Sequence, residues 1–162
     1  AGACMSLKAI YESGRTIRYH SNPTMNHLGQ TVADHTWGMI AMLFHLHPNP
    51  SPELIGYITF HDSEERWVGD DPFPFKVEAP DLAKQTEAVG QTICRKMGIP
   101  HFTITEEDHQ WVKLLDRLEA YQYATLHGKA GRDWEANNQS IRDAAANLGI
   151  SEKVNKVFLK EE

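Results

Sequence analysis

Cysteine is scarce in this chain, long apolar runs are absent, and positive charge is not in surplus. Only two cysteines, Cys4 and Cys94, occur in 162 residues. That is too few for a disulfide framework, so a folded core must hold the chain and a reducing, cytoplasmic compartment is expected. The longest apolar stretch, over residues 38–44, falls far short of the roughly 20 residues a membrane-spanning helix needs. The first residues lack the continuous apolar segment of a signal peptide, and residues 1–4 ahead of Met5 read as a remnant of cloning. Lys and Arg number 16 against 22 Asp and Glu, a formal net charge of −6. That balance speaks against a nucleic-acid polymer or an anionic membrane as partner. No segment alternates apolar and polar residues for long, so no sheet is expected.

The composition, 41% hydrophobic and 23% charged, suits one globular domain over the whole chain. Punctuation divides it into helices. Ser6–Ser13 reads as a short helix, and residues 16–29, with Asn22, Pro23 and Asn26, read as a loop. Residues 30–47 carry Val32, Trp37, Ile40, Met42, Leu43 and Leu46 at helical spacings. Ser51 can cap the next helix, with Pro52 in its first turn, and that helix is predicted to run to about Trp67. Residues 69–74, with one glycine and two prolines, are predicted to be loop. Helices follow over 81–97, from the Thr105-to-Asp108 capping box to about His127, over 132–148 and over 151–159. The predicted class is all-α, a bundle of five to seven helices. Trp37 and Trp67 are expected in the core, since indoles are mainly buried surface.

Nine histidines stand out. His61-Asp62 follows the apolar run 54–60 and offers an imidazole and a carboxylate to one cation. A capping or surface pair would read the same way. His35 lies near the start of an amphipathic helix, where a core histidine satisfied by a backbone carbonyl is the plain alternative. Asp116 sits beside Leu115 and Leu118, and a carboxylate next to such a stripe needs a partner. Arg117 or Lys113 would serve, and so would a cation.

Taken in order, His35, His61-Asp62 and Asp116 on an all-α chain resemble the metal-dependent phosphohydrolases of the HD-domain family. The likeness extends to Arg18-Tyr19, to Val32-Ala33-Asp34-His35-Thr36, to His61-Asp62-Ser63-Glu64-Glu65, to Gly69-Asp70-Asp71-Pro72-Phe73-Pro74-Phe75-Lys76, and to Asp116-Arg117-Leu118-Glu119-Ala120-Tyr121. These five ordered blocks are similar to the deoxynucleotidase branch and cover about two thirds of the chain. Asp34 stands where that branch has Glu, Thr36 where it has Ser, and Tyr19 where Trp is common.

The resemblance implies a metal site of His35, His61, Asp62 and Asp116, holding one divalent transition ion. Two imidazoles and two carboxylates suit zinc, cobalt, manganese or iron better than magnesium. An additional substrate-bound divalent ion is a further expectation. Glu65, four residues after His61 and so on the same helical face, would orient or deprotonate water, whereas Glu64 would point away to solvent. Asp70 is a second catalytic candidate, with an Asx-turn as its alternative role. Arg18, Lys76 and Lys113 would supply local positive charge for phosphate, and Tyr19 would press on the sugar. The implied activity is hydrolysis of deoxynucleotides, with compact phage enzymes that release triphosphate from dATP nearest in size. Alternatives are a 5′-deoxynucleotidase acting on monophosphates and a nucleotide-sensing HD module without turnover. The family also implies a homo-oligomer in a bacterial or phage-infected host cytoplasm.

Overall fold

The computed structural model describes residues 6–159 apart from 70–72. Among them the chain is all-α. Its helices are α1 (Ser6–Ser13), α2 (Val32–Leu46), α3 (Pro52–Phe60), α4 (Glu65–Val68), α5 (Phe73–Glu78), α6 (Pro80–Met97), α7 (Glu106–Leu126), α8 (Glu135–Asn147) and α9 (Ser151–Val154), with short 3-10 turns at Arg132–Trp134 and Asn155–Phe158. One isolated antiparallel bridge, Ile17 to Thr31, spans the loop before α2.

The helix count exceeds the predicted range because one predicted helix divides and one further helix forms where loop was expected. The helix expected over 52–67 stops at Phe60. The chain then turns through residues 61–64, where Ser63 N–H donates to the Phe60 carbonyl at 3.1 Å and Glu65 N–H to that of Asp62 at 3.2 Å, before α4 begins. The predicted loop over 69–74 also needs correction, because α5 begins at Phe73. Pro74 falls in its first turn, where a missing N–H leaves no helical bond unmade.

Helix starts follow local chemistry. Asp34 accepts from Thr31 N–H at 2.9 Å, and Thr31 Oγ1 accepts from Asp34 N–H at 3.1 Å. This reciprocal cap opens α2, and the Thr31 backbone N–H holds the Asp34 carboxyl below the usual carboxylate range. Ser51 Oγ accepts from Leu54 N–H at 3.1 Å and caps α3, as predicted. The Thr105–Asp108 capping box opens α7, also as predicted.

The chain sorts into two compact units, one taking Ala1–Asp34 with Phe60–His101 and the other His35–Thr59 with Phe102–Glu162. In the first, α1, α4 and α5 pack on α6, and Met25 and Met97 are buried. In the second, α7 packs on α8 and α8 on α9. Its core is Met39, Leu43, Leu54, Ile58, Leu114, Leu115, Leu118, Ile141 and their neighbours. Gly56 on α3 lies under the Phe102 ring, where a Cβ would stand 2.1 Å from Cε1.

Trp37 and Trp67 are not core residues. Trp37 is 74% exposed and Trp67 41%, whereas Trp111 is the buried indole. For Trp37 the reason lies in α2, which carries apolar residues on more than one face. It buries His35, Met39, Leu43 and Leu46, a stripe of spacing four, four and three that turns Trp37 and Phe44 outward.

Candidate metal centre

The reciprocal cap places His35 in the first turn of α2. Its side chain is fully buried, and its two ring nitrogens face two carboxylates of α7. Nδ1 pairs with Glu119 Oε2, and Nε2 lies 3.0 Å from Asp116 Oδ1. Asp116 and Glu119 are three residues apart on one helix and therefore share a face. Leu115 and Leu118 beside them are buried, as the sequence stripe predicts, and they anchor α7 so that both carboxylates meet the ring. Gly38, one turn past His35, gives Glu119 its room. A Cβ at Gly38 would stand 2.8 Å from Glu119 Cγ.

A neutral imidazole carries one N–H and one lone pair. If Nδ1–H donates to Glu119, the Nε2 lone pair points at a carboxylate oxygen, which is repulsive unless a positive charge lies between them. The second pair has the same form, with His61 Nε2 3.1 Å from Asp62 Oδ2 and both side chains largely buried. Two ligands about 2.1 Å from one ion and at right angles to each other stand about 3 Å apart, which is the spacing of both pairs. The four expected ligands thus fall into two histidine–carboxylate pairs, His35 with Asp116 and His61 with Asp62. The donor set is nitrogen and oxygen without sulfur, and it fits a borderline divalent ion.

Glu65 opens α4 and is partly buried. Its predicted place on one helical face with His61 does not hold, because residues 61–64 are turn. Glu64 is not solvated as expected. It packs against α6, where a Cβ at Gly90 would stand 2.6 Å from its Cγ, and it accepts from the Cys94 thiol at 3.8 Å. Burial raises the Glu64 carboxyl above its ordinary range. Burial first, and Glu64 second, push the Cys94 thiol up to about 11, so this cysteine stays protonated and unreactive.

Arg18 is buried, with Nη1 donating to Gln30 Oε1 at 2.8 Å and its guanidinium 4.9 Å from the Tyr19 ring centroid. Tyr19 has φ 59°, the one left-handed residue other than glycine among those described. For a bulky L-residue that conformation costs about 1–2 kcal/mol, and such strain concentrates at functional sites. Lys113 is exposed on α7 one turn before Asp116, and Lys76 is exposed on α5. Asp70 lies outside the described residues.

Glu119 and Gly38 had no assigned role in the sequence reading. The available signal for Glu119 was a carboxylate flanked by Leu118 and Ala120 on a buried stripe. Compared with known proteins, the chain matches no family model, no curated protein and no solved structure.

Proposed function

We propose that the chain is a metal-dependent phosphohydrolase acting on deoxynucleotides. The observation that carries this reading is a pair of partly buried histidine–carboxylate contacts, His35 Nε2 3.0 Å from Asp116 Oδ1 and His61 Nε2 3.1 Å from Asp62 Oδ2. His35, His61, Asp62 and Asp116 would hold one divalent ion. When bound, that ion supplies Lewis acidity toward a phosphoryl oxygen and lowers the pKa of a coordinated water.

The chain's own groups do the rest. Glu65 takes a proton from the attacking water. Arg18, fixed by Gln30, presents a planar fork to phosphate oxygens. Lys113 and Lys76 add positive charge to an acidic protein. The Tyr19 ring faces the sugar and disfavours a 2′-hydroxyl. With a deoxynucleoside triphosphate the water oxygen bonds to the α-phosphorus, the bond to the 5′-oxygen breaks, and that oxygen takes a proton, releasing deoxynucleoside and triphosphate. The resemblance in motif order supports a deoxynucleotide as substrate, and the number of phosphates released separates a triphosphate from a monophosphate.

The test is a panel of deoxy- and ribonucleoside mono- and triphosphates with Mn²⁺, Co²⁺ and Zn²⁺. It reads phosphate, pyrophosphate and triphosphate, alongside metal content of the purified protein. Triphosphate released from deoxynucleotides by metal-loaded protein is the expected result. Retained metal with nucleotide binding and no turnover would instead make the chain a sensor. Absence of both metal and turnover refutes the reading.

A further inference from the structure

We infer that Glu119 is a positioning residue that selects Nε2 of His35 as the metal-binding nitrogen, and that Gly38 is the cradle that admits it; this rests on the metal reading above. Histidine can ligate through either ring nitrogen, and which one does so is set by the hydrogen bond the other makes. Here the choice is visible. Glu119 Oε2 occupies the Nδ1 side, while Nε2 is turned toward Asp116. Both His35 and Glu119 are buried, so their contact is shielded from bulk water. A carboxylate there fixes the tautomer, locks the ring plane and makes Nε2 a better donor.

The position is built for this contact. The Glu119 side chain lies across α2 at Gly38, with the Gly38 Cβ direction 2.8 Å from Glu119 Cγ and 3.3 Å from Oε1. Any other residue at position 38 would force the carboxylate back from the imidazole.

Glu119→Leu, Glu119→Gln and the unaltered protein are each stripped with chelator, checked for folding by circular dichroism, and titrated with Co²⁺. Affinity and the visible d–d spectrum are both recorded. Glu119→Leu is expected to lose about 10–100-fold in Co²⁺ affinity, the range for removing the partner of a ligating histidine, and to alter the spectrum as the ring is freed. Glu119→Gln still accepts from Nδ1–H through its amide oxygen. It should lose less affinity than Glu119→Leu and keep the unaltered spectrum, a graded rescue that a merely space-filling role would not give. Unchanged affinity and spectrum in both variants overturn the positioning role. If Glu119→Leu does not fold, Glu119→Gln decides alone, and undiminished Co²⁺ affinity overturns the role. Failure of the unaltered chain to bind Co²⁺ overturns the metal reading itself, and the positioning role with it.

Discussion

Replacing Gly38 with alanine sets helix propensity against the geometry of the His35–Glu119 contact. Gly38 lies in the interior of α2, where glycine is less favourable than alanine by about 1 kcal/mol. On an unencumbered helix the substitution would stabilise by that amount. Here the new Cβ meets Glu119 Cγ at 2.8 Å, Oε1 at 3.3 Å and Cδ at 3.5 Å. Carbon atoms prefer about 3.5–4.0 Å, so the buried side chain must retreat by about 0.7 Å at Cγ. Overpacking of this kind costs about 1–3 kcal/mol, leaving a net loss of about 0–2 kcal/mol. Retreat also draws the carboxylate off His35 Nδ1, so Co²⁺ affinity should fall about tenfold or more. Urea unfolding followed by circular dichroism and Co²⁺ titration of the same preparation measure the two effects. A double-mutant cycle gives the sharper test. In a Glu119→Ala background the clash is gone, and Gly38→Ala should now stabilise by about 1 kcal/mol. If Gly38→Ala gains the full helical increment with Glu119 present and binds Co²⁺ normally, the cradle argument is wrong.

Glu65→Ala should leave Co²⁺ binding intact while lowering kcat by about 10²–10⁴-fold, the range for a general acid–base group; loss of metal would make Glu65 a ligand instead. At position 19 a glycine relieves the left-handed strain that an alanine retains, so Tyr19→Gly should be more stable than Tyr19→Ala by about 1 kcal/mol. Both should shrink the preference for deoxy- over ribonucleotides, and an undiminished preference would remove Tyr19 from the sugar. Burial raises the Glu64 carboxyl above 4.5, so the folded chain binds that proton more tightly than the unfolded chain does. The resulting stability is full below the unfolded pKa and declines as pH rises through the folded one. Glu64→Gln, in the presence of chelator, should therefore raise the urea midpoint at pH 7 and change it little at pH 4. An equal shift at both pH values would contradict this.

Features written within a few residues were legible in the sequence. α1 spans Ser6–Ser13, and Ser51 and the Thr105–Asp108 box cap their helices where the motifs place them. The burial of Leu115 and Leu118 beside Asp116 was legible for the same reason. The buried face of α2 was not. Trp37, Ile40 and Phe44 make as good a helical stripe as Met39, Leu43 and Leu46, and only packing decides between them. The break after Phe60 was hidden because the apolar run before it gives no stop signal. That break also removed the helical argument that separated Glu65 from Glu64. The pairing of His35 with Glu119 joins residues 84 apart, and no local spacing encodes it. The left-handed turn at Tyr19 was equally invisible, because sequence leads one to expect glycine or asparagine there.

Gly56 and Phe102 form a pair whose consequence reaches beyond this one chain. A ring 2.1 Å from the place a Cβ would occupy leaves no common ground for two side chains. Chains descended from the same ancestor cannot vary at these positions independently. A residue larger than glycine at 56 demands a smaller one at 102, and the ring at 102 demands glycine at 56. The order of substitution is constrained as well, because the ring must be lost before the side chain at 56 is gained. Variation at these two positions is therefore coupled by packing alone, independently of the histidines and carboxylates of the proposed metal site.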